Sequence, residues 1–380
     1  MGVAPVTEET ADQPDIPAGN GRRAAIVGTG FMGRVHARAV RAGGGRVVGI
    51  VGSSLERAES ARPEIGADQA FGDLRDLVES VDVDVVHVCT PNHLHEPVVH
   101  AALAAGKHVV CEKPLAVDGA TAERLADAAR SADRIATVPF VYRFHPVVRE
   151  ARERVRRGEI GTISLVHGSY LQDWMLHPSD DNWRVDPEFG GPTRAFGDIG
   201  SHWCDLLEFV TGDRIVGLSA RTSTVNGRRG ESQQRDVTTE DVVTMQFATA
   251  SGAPGSVVIS QVSAGRKNRL LLEVSGSQGT LSFDQENPEV LWWGGRERSS
   301  LVVRDPDTLS DAAARYAHIP AGHPQGYQDC FNSFVADTAA AVRGDTPDGL
   351  PTFDDGLRAA RLADAVVASA REQSWVEVAR

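Results

Sequence analysis

The sequence predicts an α/β chain in two parts: a doubly wound parallel sheet, then a second α/β part dominated by antiparallel strands. Three observations carry this reading. Short continuous apolar runs alternate with amphipathic stretches early in the chain, the signature of a parallel sheet covered on both faces. Later, strand-like runs follow one another across Gly, Ser and Asn turns with no helix-length pattern between the last four, which reads as an antiparallel meander. Finally, a chain of 380 residues exceeds one ordinary core.

In order, residues 24–28 form an apolar run and 31–41 a helical stretch; 46–52 is strand-like and 54–62 helical. Residues 85–89 are strand-like, a helix follows over 95–105, then a strand at 107–111, a helix at 118–130 and a strand at 135–138. This β-α-β rhythm is right-handed by default and gives a doubly wound fold. The second part offers strands at 162–171, 214–225, 241–248, 255–262, 270–274 and 280–283. Two helices close the chain. Residues 325–342 place Tyr327, Phe331, Phe334, Thr338 and Val342 on one stripe. The next opens on Thr352-Phe353-Asp354-Asp355, a capping box with Asp in place of Glu, and runs to about residue 371. The expected division is a lead-in over 1–21, a doubly wound domain over 22–145 and a second α/β domain over 146–380.

Composition narrows the function classes. A formal charge of −13 argues against nucleic acid, which demands a basic footprint. No apolar run approaches the ~20 residues of a membrane helix. Residues 1–21 carry four acids, no bases and no apolar core, so they read as a disordered lead-in and not a secretory signal. Cys89, Cys111, Cys204 and Cys330 are widely spaced and form no Cys-x-x-Cys pair, which fits reduced thiols in a cytoplasmic enzyme. The chain holds three lysines among 39 basic residues, and one of them, Lys113, sits in Cys111-Glu112-Lys113-Pro114. Lys is a compact charge whose pKa moves readily; Arg is neither.

Gly28-Thr29-Gly30-Phe31-Met32-Gly33 is a Gly-x-Gly-x-x-Gly turn between a strand and a helix, the context that a dinucleotide site requires. The first glycine makes the turn, the second admits the pyrophosphate, and the third lets helix and strand pack closely. The helix N-terminus then offers N–H groups to phosphate. At the end of the next strand stands Gly52-Ser53-Ser54-Leu55-Glu56-Arg57. No acid occupies the position of a ribose partner, whereas Ser53, Ser54 and Arg57 suit a 2′-phosphate. The cofactor is therefore expected to be NADP or NAD, with NADP favoured.

The strand at 85–89 ends in Cys89-Thr90-Pro91-Asn92-His93-Leu94-His95, on the sheet edge where ligands of open α/β folds bind. Thr90, Pro91, Asn92 and His95 are candidate cofactor contacts, as are Glu112 and Lys113 on the same edge. Farther on, Asp198 and His202 are four apart. On a helix they share a face, and a carboxylate beside an imidazole orients it and favours its protonated form. Lys113, Asp198 and His202 are the candidate catalytic residues. Candidate substrate contacts are Gln172 and Asp173 within Tyr170-Leu171-Gln172-Asp173-Trp174, then Trp183-Arg184, with Arg194, Tyr142-Arg143 and His323 as further candidates. Aromatic faces beside Gln, Asp and Arg suit a polyhydroxylated ring. The remaining histidines form no metal-ligand set, so no metal is expected.

Together the glycine turn, Glu112-Lys113-Pro114 and the Asp198-x-x-x-His202 pair resemble the Gfo/Idh/MocA oxidoreductase family, over roughly residues 22–380. The resemblance implies a Rossmann domain followed by an α/β domain with a large, mostly antiparallel open sheet. That sheet is the implied contact of a homodimer or homotetramer. It also implies NAD(P)-dependent interconversion of a secondary alcohol and a ketone on a sugar, glycoside or cyclitol. Lys113 and His202 are the implied catalytic pair, with Asp198 assisting. The Leu-Gln-Asp-Trp and Trp-Arg elements are similar to branches oxidising levoglucosan or the 3-hydroxyl of glycosides. Two other readings differ in chemistry. A nicotinamide-dependent glycosidase working through transient oxidation would cleave a bond without net cofactor reduction. A non-catalytic, cofactor-sensing regulator is expected to lack the acid/base set that this chain carries.

Overall fold

The computed structural model describes residues 22–379; the lead-in expected over 1–21 lies outside the described residues. The first sheet contains β1 (Arg23–Val27), β2 (Arg46–Val51), β3 (Gln69–Phe71), β4 (Val85–Val88), β5 (His108–Cys111) and β6 (Ala136–Thr137). Their spatial order is β3-β2-β1-β4-β5-β6, and every pairing is parallel. The order reverses between β1 and β4, which opens a crevice at their carboxyl ends. Strand β3 and the helix Leu74–Ser80 are additional to the sequence expectation. The strand has three residues, too few for a periodic signal, and Asp73 starts the helix by accepting from Arg75 N at 2.7 Å.

The second sheet is where expectation and structure part. It contains β7 (Ile163–Leu171) and β8 (Ile215–Ser223), followed, beyond a short hairpin of β9 (Arg228–Arg229) and β10 (Arg235–Asp236), by β11 (Val242–Thr249), β12 (Pro254–Ser260), β13 (Arg269–Gly276), β14 (Thr280–Asp284), β15 (Val290–Gly294), β16 (Ser299–Val303) and β17 (Val376–Glu377). The order is β16-β15-β14-β13-β7-β12-β11-β8-β17. Two meanders flank β7, which runs antiparallel to β13 but parallel to β12. The sheet is thus mixed, not a simple meander. The parallel pairing brings Leu171 opposite Ser260, so both chains leave the sheet at one edge.

The helix Pro146–Arg156 also escaped the sequence pattern, because its charged run hides a packed face. Arg149 is buried with its guanidinium 4.9 Å from the rings of Phe144 and Phe209 and 4.5 Å from Tyr316. Arginine stems and faces pack as apolar surface while the charge bonds elsewhere.

The closing helices tie the two sheets together. Phe331, Phe334 and Val335 of the helix Tyr327–Val342 share a core with Val35, Ala39 and Val40 on the first helix. In the helix Phe353–Glu372, Phe353 and Leu357 join the core of the first sheet, whereas Leu362 and Val366 join that of the second. Its start carries the expected cap: Thr352 N donates to Asp355 Oδ2 at 2.7 Å.

Candidate active site

The glycine turn follows β1. Gly28 has φ +120°, and an added Cβ would lie 2.4 Å from the Cys89 carbonyl. A Cβ at Gly33 would lie 2.4 Å from Gly28 O, so helix and strand meet only because both residues lack side chains. Gly30 differs. Nothing stands within 4 Å of its missing Cβ, and Phe31 beside it is exposed. Gly30 caps the helix Phe31–Ala42 with no side-chain acceptor. The turn is therefore an open cradle at a helix N-terminus, which fits a pyrophosphate. Met32 packs against the core beneath it. Ser53, Ser54 and Arg57 are all exposed, but the Ser54 hydroxyl caps its own helix, accepting from Arg57 N at 3.3 Å.

Around the cofactor edge, several candidate side chains are engaged by the protein itself. Asn92 is buried and donates to Gly190 O at 2.9 Å, pinning a loop of the second part to the first. His95 is fully buried, with Nε2 3.1 Å from Thr90 O and Nδ1 3.0 Å from Pro114 O, so it splints the two loops. Thr90 and Pro91 remain half-buried on the rim. Glu112 turns inward, taking a bond from His36 Nε2 at 2.9 Å and one from Lys113 N at 3.1 Å. Burial alone would raise its pKa, but His36 and the Lys113 charge outweigh it and hold the carboxylate ionised.

Lys113 crosses from the first sheet to the second part. Its Nζ donates to Asp198 Oδ1 at 2.8 Å and to Asp198 O at 2.9 Å. Asp198 lies in a π-helical turn, Phe196–Gly200, that runs directly into the helix Ser201–Thr211 carrying His202. The Asp198 carboxylate bonds other partners than His202. Asp198 Oδ2 accepts from Gln261 Nε2 at 2.8 Å, and Arg184 Nε stands 3.6 Å from Oδ1. Burial opposes the Asp198 charge, yet Lys113 and Arg184 push its pKa far below the carboxylate range. His202 Nδ1 is buried without a hydrogen-bond partner among the described residues. Burial, then the Lys113 charge, hold His202 well below the usual histidine pKa despite Asp198. A ring whose pKa is held down in this way can accept a proton. Its ring is wedged edge-on between Phe140 and Tyr142, with centroids 5.6 and 5.0 Å away.

A polar ladder that the sequence did not reveal borders this group. Tyr142 and Tyr170 hydroxyls lie 2.5 Å apart, and Tyr170 donates to Asn268 Oδ1 at 2.7 Å. Gln172 Nε2 donates to the same oxygen at 2.7 Å, and Trp174 Nε1 to Gln172 Oε1 at 2.8 Å. The signal was the alternation of β7, which turns Tyr170 inward, but Asn268 and Gln261 carry none: the antiparallel β7–β13 pairing brings Asn268 to this edge, and the parallel β7–β12 pairing brings Gln261. Trp183 stacks on the Arg184 guanidinium at 4.3 Å, and Asp173 is paired with Lys267 at 2.7 Å, toward solvent.

Other candidates are placed elsewhere. Arg143 is buried in ion pairs with Asp205 and Asp355, its guanidinium 5.1 Å from the Phe209 ring, and leaves no donor edge toward the site. Arg194 is fully buried against Asp241. His323 is exposed, and its backbone oxygen serves Arg304.

Comparisons with known proteins agree with this fold. Residues 22–140 match the oxidoreductase family with NAD-binding Rossmann fold, and residues 148–282 match the GFO/IDH/MocA C-terminal domain. Levoglucosan dehydrogenase of Pseudarthrobacter phenanthrenivorans is 30% identical, covering 93% of this chain and 97% of that protein. Inositol 2-dehydrogenase 4 of Saccharopolyspora erythraea is also 30% identical, over 91% and 93%. Among solved structures, levoglucosan dehydrogenase in complex with NADH and L-sorbose superposes with a TM-score of 0.88 at 30% identity, covering 94% and 99%. An inositol dehydrogenase homolog from Azotobacter vinelandii, complexed with NADH and myo-inositol, gives 0.83 at 28% identity, covering 93% and 97%. With both domains matched and the cofactor turn intact, this chain belongs to the Gfo/Idh/MocA family of NAD-binding oxidoreductases.

Proposed function

We propose that this protein is a dehydrogenase that interconverts a secondary alcohol and a ketone on a sugar, glycoside or cyclitol. One observation carries the reading: Lys113 gives two N–H bonds to Asp198, which leaves one N–H uncommitted, and its charge acts on the buried His202 and lowers its pKa. In the oxidation direction His202 takes the hydroxyl proton. Lys113 donates its remaining hydrogen bond to the substrate oxygen and stabilises the charge that develops there. Asp198 aims the ammonium, and Gln261 holds Asp198 from the other side. The tyrosine–Asn268–Gln172 ladder and the Trp183–Arg184 stack supply polar groups and an aromatic face for a polyhydroxylated ring. When bound, the nicotinamide supplies the hydride acceptor; the cradle at Gly30 and the edge at Thr90 and Lys113 would hold it.

The cofactor is NAD in this proposal. The NADP expectation rested on Ser53, Ser54 and Arg57, and it finds no support: Ser54 is occupied as a helix cap, and the solved relatives contain NADH. The partner is a second copy of the chain. The outer face of the second sheet exposes Leu165, Val258, Trp292, Leu301 and Val303, apolar surface that a homodimer or homotetramer would cover. Cytoplasmic residence is retained as a proposal; among the described residues no helix is long and apolar enough to cross a membrane.

The test is a panel of free sugars, anhydrosugars, glycosides and inositols with NAD and NADP, read by absorbance of the reduced nicotinamide. Oxidation of a panel member with higher kcat/KM for NAD is expected. Absence of turnover across the panel with both cofactors would overturn the reading.

A further inference from the structure

Behind the site lies a buried ionic cluster that no catalytic step uses. Glu240 and Asp241 are adjacent, and both are buried, immediately before β11. The Glu240 carboxylate accepts from Thr193 Oγ1 at 2.6 Å, Arg194 N at 3.1 Å and Phe196 N at 2.9 Å. The two amides are donors of the kind that the start of a helical segment leaves without partners. The segment they open is the π-helical turn bearing Asp198, whose own N–H bonds Arg194 O at 2.8 Å.

Asp241 faces the other way. Its Oδ1 binds the guanidinium groups of Arg194 and Arg229, the latter at 2.6 Å. Its Oδ2 accepts from Val225 N at 2.7 Å and Asn226 N at 3.1 Å. Arg229 then donates to three carbonyls of the following loop: Met175 at 2.9 Å, His177 at 3.0 Å and Asp180 at 3.2 Å. That loop joins Gln172 and Trp174 to Trp183 and Arg184. Asp241 O also accepts from Gln261 N at 3.0 Å, and Gln261 is the second partner of Asp198.

Resting on the dehydrogenase reading above, we propose that Glu240 and Asp241 are a pair of positioning residues with divided roles: Glu240 sets the catalytic turn, and Asp241, through Arg229, sets the substrate-facing loop. Neither touches the reacting atoms. The side chains of Arg194, Arg229 and Asp241 are fully buried, an arrangement costly in desolvation. Hydrophobic packing would bury the same volume without that cost, but it would not fix the direction of two loops. The division follows from the bonds. Glu240 bonds residues 193–196 and none on the loop, whereas Arg229 reaches the loop and not the turn. Arg194 links the halves, giving its backbone N–H to Glu240 and its side chain to Asp241.

The test uses the full chain with Glu240→Gln, Asp241→Asn and the milder Arg229→Lys, which keeps the charge but loses the fork across the carbonyls. On the substrate that the wild type turns over, Glu240→Gln is expected to lower kcat by ~10-fold or more with KM nearly constant. Asp241→Asn and Arg229→Lys are expected to raise substrate KM by ~10-fold with a smaller change in kcat. Hydrogen exchange by segment runs alongside. Faster exchange confined to residues 194–200 in Glu240→Gln, and to 174–185 in the other two, supports the division. Unchanged kcat and KM in folded variants overturn it, as does exchange that rises uniformly over the chain. If the wild type oxidises nothing on the panel, the dehydrogenase reading fails by itself. The exchange pattern still decides the positioning claim, and Arg229→Lys keeps that decision open if the carboxylate variants do not fold.

Discussion

Replacing Lys113 by Met removes the ammonium while keeping a stem of similar length. Two bonds to Asp198, at 2.8 and 2.9 Å, disappear together with the N–H left for the substrate oxygen. Losing one preorganised donor to a developing oxyanion typically costs ~10²–10³ in kcat, about 3–4 kcal/mol of transition-state stabilisation. Turnover is therefore expected to fall at least ~10²-fold, while nicotinamide affinity, read by fluorescence titration, stays near wild type. The substitution carries a second signature. In the wild type the Lys113 charge helps to depress the His202 pKa, with Asp198 acting in the opposite direction. Without Lys113 the remaining Asp198 charge favours the imidazolium. His202 must be neutral to accept a proton, so kcat/KM for oxidation is lost as pH falls through its pKa. The acid limb lies below the ordinary histidine value, near 6.5, in the wild type, and it moves toward higher pH in Lys113→Met. The assay is the kcat/KM–pH profile of both proteins with the best panel substrate. Near-wild-type turnover in Lys113→Met, or an acid limb displaced to lower pH, would refute the reasoning.

Three further outcomes are expected. His202→Asn, which keeps a polar side chain but no base, should cut turnover at least ~10²-fold with cofactor affinity retained in the same titration. Gly30→Val should lose nicotinamide binding with little change in Tm, because no protein atom stands within 4 Å of the new Cβ; Gly28→Ala should lower Tm as well, because its Cβ meets Cys89 O at 2.4 Å. Stability should decline as pH falls from about 6.5 toward 4: burial lowers His145 to about 4 and also depresses His87, His95 and His202. The folded state then binds fewer protons than the unfolded chain, so each contribution is complete above the unfolded pKa and is lost as pH drops. His145 alone contributes on the order of 3 kcal/mol across that window, opposed by Asp205, which burial raises to about 7 and which takes up a proton in the folded state as pH falls; the depressed His87, His95 and His202 set the net direction. A Tm that is flat between pH 7 and 4.5 in thermal scans would contradict this.

The cofactor turn was legible because its physics is local. The preceding strand, the glycines and the following helix are consecutive, from Arg23 to Ala42, and parallel β-α-β logic places Glu112 and Lys113 on the same edge without further information. The Asp198–His202 spacing was legible too, but not its consequence. Residues four apart in a regular helix share a face, whereas the π-helical turn hands the Asp198 oxygens to Lys113, 85 residues away, and to Gln261, 63 residues away.

Charged side chains were the hardest to place. Arg143, Arg149 and Arg194 look alike in sequence, and all three are buried, because partners such as Asp355, Tyr316 and Asp241 arrive from distant segments. A guanidinium near a site becomes a ligand or a structural tie only when its counter-charges are known, and those are set by folding. By itself the sequence determined the parallel sheet, the nucleotide cradle and a lysine at its rim. The tertiary structure alone decided that β7 would pair parallel with β12, that Lys113 would bond Asp198, and that burial would depress the His202 pKa. Strand pairing and burial act between residues far apart in the chain, and they fix which charges and hydrogen bonds each side chain meets.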